Sequence, residues 1–252
     1  MTETAGPRQG LERPKKTAIL VAERIVEFIT SGGYSVGDHL PPEREMIETY
    51  AVGRPTLREA LRYLELQGII RLKPGPGGGP VVTEPGGQYL GSTITLLLHV
   101  NHAPFRAVVE VREAIEPHSA ALAALNATDE QRVQLQQSVE AIRDVHADPG
   151  AFLAENERWH ELVATSSQNM LFAFLVSSLH GMTDGSALGV HYPLAERAQA
   201  CDIHDQITTA ILASDPDLAA ELMRTHVANF RAFLEEEYRH LMDVPLPWRH
   251  VD

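Results

Sequence analysis

Three residues, Ala51-Val52-Gly53, separate two helical patterns, and so short a break leaves the two helices little freedom to lie apart. Before the break, "EREMIETY" reads as a short helix with Glu43 and Glu45 in its first turn. After it, Pro55 stands where a helix start tolerates proline, and Leu57, Ala60, Leu61 and Leu64 share one side until Gly68. Upstream, "TAILVAERIVEFITSGGY" spaces Ile19, Ala22, Ile25, Val26 and Ile29 by threes and fours and stops at Gly32-Gly33. Downstream, "IIRL" and "PVVT" predict two short strands joined by "KPGPGGG".

Helix, helix, tight turn, helix and hairpin within about 70 residues is the plan of a winged helix-turn-helix. In that plan the helix after the turn enters the major groove of double-stranded DNA by its N-terminal end. Arg54 and Arg58 stand there although the helix dipole disfavours cations at that position. They and Thr56 are expected to meet phosphates and base edges. Taken alone, the stretch also fits a solvated helix start with Arg58 paired to a nearby glutamate. Charge divides the chain in the same sense. Residues 1–85 carry 11 Lys+Arg against 11 Asp+Glu, whereas residues 86–252 carry 10 against 23 and so hold the whole formal charge of −13. No lysine follows Lys73, and 11 of the 12 histidines follow His39.

Beyond Gly86 the chain shows helical patterns and no strand pattern. "QYLGSTITLLLHVN" is a short apolar helix, Pro104 opens another, and Thr128-Asp129-Glu130, Pro149 and Asp215-Pro216 mark further helix starts. "MLFAFLVSSLHG", apolar nearly all round, is expected at the centre of a bundle. The fold class is mostly α: an N-terminal winged helix-turn-helix followed by an antiparallel six- to seven-helix bundle. The expected divisions are a disordered stretch 1–14, the winged domain 15–84, a linker and extra helix 85–103, a helical domain 104–243, to which the family resemblance given below assigns effector binding and dimerisation, and a tail 244–252. The apolar runs are too short to cross a bilayer, no secretory segment follows the start, and the single Cys201 excludes an intramolecular disulfide and a cysteine-cluster zinc site. A cytoplasmic protein without membrane attachment is expected.

Several polar residues lie on stripes that should be buried. Asn156 and His160, one turn apart, share a face with Leu153 and Val163; His204 lines up with Ile207 and Ile211; His226 lines up with Leu222, Phe230 and Phe233. Buried imidazoles and amides need hydrogen bonds or a ligated ion. Three imidazoles and an amide oxygen from three helices suit Zn²⁺, Ni²⁺, Mn²⁺ or Fe²⁺, though a hydrogen-bonded core is the plainer reading of any one histidine. The other histidines, among them His99, His118 and His180, read as structural or surface. Arg112, between Val108 and Ile115, faces inward and calls for an anion, either Glu116 or another carboxylate of the bundle, or the carboxylate of a bound organic acid.

The stretch "LPPEREMIETYAVGRPTLREALRYLELQGIIRLKPGPGG" resembles the DNA-binding domain of GntR-family bacterial transcription regulators. By position, the resemblance assigns DNA contacts to Arg44, Arg54, Thr56 and Arg58 and puts Gly75 or Gly77 at the wing tip near the minor groove. Pro42, Gly53 and Pro55 depart from the commoner Ser, Ser or Thr, and Thr of the family pattern. "VVEVREAIEPHSAALAA", "ENERWHELVATSSQNMLF" and "DIHDQITTAILASDPDLAAELMRTHVANF" resemble the effector domain of the FadR subfamily. There the resemblance implies a metal held by Asn156, His160, His204 and His226, with Asn156 in place of the commoner aspartate. The extra helix before Pro104 resembles the seven-helix version of that domain. The implied function is a ligand-responsive homodimeric regulator, more often a repressor, binding a near-palindromic operator and modulated by a small carboxylate. Direct metal sensing is the alternative. A metal-dependent hydrolase or lyase is disfavoured, because "HELVA" puts Ala164 where H-E-x-x-H needs its second histidine.

Overall fold

The computed structural model describes residues 14–75, 77–179 and 181–248. The expected disorder of the first residues, the end of the tail and His180 lie outside the described residues. The chain forms two compact units, residues 1–85 and 86–252.

The first unit contains α1 (Pro14–Ser31), α2 (Glu43–Tyr50), α3 (Arg54–Leu66), β1 (Ile70–Lys73) and β2 (Gly79–Val82). Its core takes Ala18, Val21, Ala22, Ile25 and Ile29 from α1, Met46 and Tyr50 from α2, and Leu57, Ala60, Leu61 and Leu64 from α3. Ile19, grouped with the buried stripe in the sequence, is outward; the face that packs runs through Ala18 and Val21 instead. Ala51 closes α2 in the left-handed region at φ 52°, and α3 begins three residues later with proline in its first turn. The strands pair antiparallel, Ile70 opposite Val82 and Lys73 opposite Gly79. Gly75 and Gly77 turn the hairpin at φ +92° and +78°, a region that side chains disfavour and glycine enters freely.

The second unit contains α4 (Gly87–Val100), α5 (Phe105–Asn126), α6 (Asp129–Val145), α7 (Pro149–Ser166), α8 (Met170–Leu179), α9 (Leu194–Leu212), α10 (Pro216–Glu237) and the one-turn α11 (Arg239–Met242). Helix starts are fixed chemically: Thr128 and Gln131 form a capping box, and Asp148 and Asp215 cap α7 and α10 ahead of a proline. The main core joins α5, α6, α7, α9 and α10 around Trp159, Leu135, Ile142, Ile207, Ile211 and Met223. α8 is not central, contrary to its all-round apolar composition. Only Val176, Ser178 and Leu179 are buried, while Met170 and Leu171 are 71% and 62% exposed. α4 packs along α8 so closely that a side chain at Gly87 or Gly91 would collide with Ser177 or Ser178. Residues 85–103, expected to include a linker, are thus largely a packed helix of this unit.

Candidate functional site

The second unit brings three imidazoles to one point. His160 comes from α7, His204 from α9 and His226 from α10, and each lies on the inner stripe of its helix. His226 Nε2 is 3.2 Å from His204 Nε2 and 3.3 Å from His160 Nε2. Trp159 holds the rings in place. It stacks on His204 at 3.9 Å between centroids, stands edge-on to His160 and His226, and donates Nε1–H to Thr208 Oγ1 at 3.0 Å.

α5 supplies an ion pair behind the histidines. Arg112 Nε donates to Glu116 Oε1 at 2.5 Å, and Glu116 Oε2 lies 2.8 Å from His160 Nδ1. A proton on Nδ1 satisfies the carboxylate and leaves the Nε2 lone pair of His160 facing the other two imidazoles. Arg112 Nη2 also lies 3.3 Å from that Nε2, and the guanidinium sits over Phe230 at 4.9 Å from the ring centroid. Burial alone would push the Glu116 carboxyl up, but Arg112 and then His160 hold it far below the usual carboxylate range. Burial likewise acts to lower Arg112, and Glu116 more than offsets it. His204 and His226 are held well below the ordinary imidazole range, first by burial and then by the charges of their neighbours, including His160 and Arg112. Both are therefore neutral near pH 7, the form that donates a lone pair.

A cavity of about 100 Å³ opens onto His160, His226 and Arg112. Asn156, half-buried one turn before His160, lines it with Thr183, Asp184 and Tyr192. The Tyr192 hydroxyl donates to the Asp184 carbonyl, which ties the loop between α8 and α9 across that wall. Phe230 and Phe233 supply apolar surface. All four residues of the expected metal set line this cavity or meet in the cluster beside it. Of its expected anions, Arg112 meets Glu116, and its guanidinium also lines the cavity.

In the first unit the start of α3 is open to solvent. Arg54 and Arg58 are exposed and Thr56 is half-buried. Glu43, at the start of α2, lies between the two arginines, with Oε2 3.8 Å from Arg54 Nε and 3.2 Å from Arg58 Nε. Arg44 is exposed on α2 with Glu48 3.9 Å away. Gly75 and Gly77 lie in the hairpin turn.

Comparison with known proteins agrees with both units. Residues 18–78 match the model of the bacterial regulatory proteins of the gntR family, and residues 107–229 match the FCD domain. An uncharacterised HTH-type transcriptional regulator of Bacillus subtilis, YcbG, is 30% identical over 213 residues, which cover 84% of this chain and 88% of that protein. The chain belongs to the GntR family. The Exu regulon transcriptional regulator of Escherichia coli K12 is 28% identical over 235 residues, covering 90% of this GntR protein and 88% of its relative. The solved Streptococcus agalactiae GntR superposes with a TM-score of 0.67 at 26% identity, covering 85% of this chain and 99% of that one. This GntR protein is accordingly a DNA-binding transcription regulator with a helical effector domain, and not an enzyme. Two features of the regulator's site had little sequence signal. Glu116 was visible only as a carboxylate one turn after Arg112, with nothing to tie it to His160. The wall of Thr183, Asp184 and Tyr192 comes from a loop with no periodic pattern.

Proposed function

We propose that this regulator, of the FadR subfamily, binds a near-palindromic operator as a homodimer in the cytoplasm. It holds a divalent metal in its helical domain and changes its affinity for DNA when a small organic acid enters the cavity beside that metal. Repression relieved by the acid is the mode we favour. The observation that carries the reading is the convergence of three imidazoles, with His226 Nε2 3.2 and 3.3 Å from the Nε2 atoms of His204 and His160, at the wall of a cavity that also contains a guanidinium. Nitrogen ligands at 2.0–2.1 Å from one ion in tetrahedral arrangement stand roughly 3.3–3.4 Å apart, the spacing His226 already keeps from His204 and from His160.

His160, His204 and His226 would hold the ion, with Asn156 giving a weak fourth contact through its side-chain oxygen. Zn²⁺, Ni²⁺, Mn²⁺ and Fe²⁺ all suit such a donor set. The metal, when bound, supplies positive charge and open positions for an anion. Arg112 extends that field and is shaped to take a carboxylate in two parallel hydrogen bonds. Glu116 keeps Arg112 from carrying an unbalanced buried charge while the cavity is empty of effector. Because Asn156 is neutral, metal and anionic effector should strengthen each other's binding.

In the DNA-binding unit, Arg54, Thr56 and Arg58 would face bases and phosphates, Arg44 a phosphate, and Gly75 and Gly77 would let the wing backbone approach the minor groove. The deciding experiment is mass spectrometry and metal analysis of natively purified protein, followed by selection of operators from a random DNA library with and without candidate acids. A metal lost in His204→Ala together with the response to acid, while Arg54-dependent DNA binding survives, is the expected result. Unchanged metal content in His160→Ala, His204→Ala and His226→Ala alike would reduce the cluster to a hydrogen-bonded core. A response to metal alone, with no acid, would instead favour direct metal sensing.

A further inference from the structure

Among the described residues of its unit, the outer face of α4 has no partner. Leu90, Thr93, Leu97 and Val100 are exposed along it at spacings of three, four and three, the a/d spacing of a helix seam, with Leu96 beside them. Leu97 is 57% and Val100 65% exposed. The opposite face, through Gly87, Gly91, Thr95 and Leu98, is the one that packs into the unit. Trp248 lies near the end of the same helix. Its backbone N–H reaches His99 Nδ1 at 3.3 Å, which sets the C-terminal segment against α4, and its indole is 52% exposed.

A surface helix normally turns charge outward. α4 contains no Asp, Glu, Lys or Arg, although the chain as a whole is 22% charged and strongly acidic. An acidic face would repel its own copy; this one would not. We propose that α4 is the self-association seam of the regulator, two copies packing α4 against α4 about a two-fold axis, with Trp248 at the rim of the contact. The exposed side chains named amount to on the order of 500 Å² per protomer, so a pair would bury roughly the 1,000 Å² at which a specific interface becomes stable. A two-fold contact also needs one patch that complements itself, which an uncharged a/d strip provides. The inference rests on the homodimer proposed above and assigns that dimer its surface.

The test uses the full chain. Wild type should scatter light as twice 27.7 kDa at micromolar concentration. Leu97→Glu should raise the dimer dissociation constant at least 100-fold while leaving helical circular dichroism unchanged. Thr93→Cys or Leu97→Cys, at the middle of the seam, should form a covalent dimer under mild oxidation, and Leu125→Cys on α5 should not. A Leu97→Glu protein that stays dimeric with wild-type affinity, or equal crosslinking at position 125, overturns the seam but leaves the dimer standing. A monomeric wild type overturns both.

Discussion

Replacing Glu116 by glutamine tests the site at its least visible member. The carboxylate serves two neighbours at once, Arg112 at 2.5 Å and His160 Nδ1 at 2.8 Å, and all three groups are buried. An amide of the same shape keeps one acceptor oxygen but removes the charge. Arg112 stays protonated, so the change leaves a buried cation without its counter-ion. Removing one partner of a buried pair typically costs about 3–5 kcal/mol. The retained acceptor and the adjoining cavity, which admits water, reduce this to roughly 2–3 kcal/mol. For a unit of this size, that lowers the melting temperature by roughly 4–12 °C. The second consequence is local. Without a carboxylate to fix the Nδ1 proton, His160 loses its preference for the tautomer whose Nε2 faces the cluster, and zinc affinity should fall about 10–100-fold. Calorimetric titration with zinc and a thermal melt of the metal-free protein read the two effects separately. The double variant Arg112→Met with Glu116→Leu should recover most of the melting temperature, since an apolar pair can replace a buried ion pair, without recovering zinc affinity. A Glu116→Gln protein that melts with the wild type and binds zinc within threefold of it would refute the assignment of Glu116 as a positioning group.

Arg58→Ala should weaken binding to a selected operator by about 1–3 kcal/mol, roughly 5- to 150-fold, with circular dichroism unchanged; unaltered mobility-shift binding would remove α3 from the DNA interface. Glu43 lies beside Arg54 and Arg58, the two arginines proposed to meet DNA, yet would repel phosphate, so Glu43→Gln should tighten binding to random-sequence DNA more than binding to the operator; an unchanged ratio of the two would count against that role. The pH response follows from His204 and His226. Their folded-state affinity for protons lies below the unfolded value near 6.5, so as pH falls the unfolded chain takes up protons first. Metal-free protein should therefore be fully stable above about pH 6.5 and lose stability below it. Urea midpoints at pH 7.5 and 5.5 measure this, and His226→Gln should flatten the difference.

Where local rules govern, the sequence was informative. The three-residue turn after Tyr50, the prolines at the starts of α3, α7 and α10, and the capping residues Thr128 and Asp215 act within one helical turn, so their effects can be read along the chain. The three histidines stood out because imidazoles on apolar stripes are costly unless they share a partner, and α7, α9 and α10 do bring them together. The position of α8 is not legible in the sequence, because composition cannot tell a helix covered by its own chain from one that offers an apolar side outward. The spacing in α1 does not separate Ile19 from Ala18 and Val21, and α3 packs on the side of the latter two. Glu116 and the wall at Thr183 and Asp184 depend on long-range packing that leaves no periodic trace.

The chain contains two tryptophans, and their positions give it two optical probes. Trp159 is fully buried and touches all three imidazoles, so its emission should be blue-shifted. A paramagnetic ion such as Ni²⁺ or Mn²⁺ at the cluster, or a protonated ring against the indole, should quench it. Trp248 is half-exposed beside α4 and should emit further to the red, shifting as that surface is covered. With Trp248→Phe, the remaining fluorescence reports the cluster alone; with Trp159→Phe, it reports association alone. Occupancy of the helical domain and pairing of the chains can then be followed in one unlabelled sample, in real time, while acid or DNA is added.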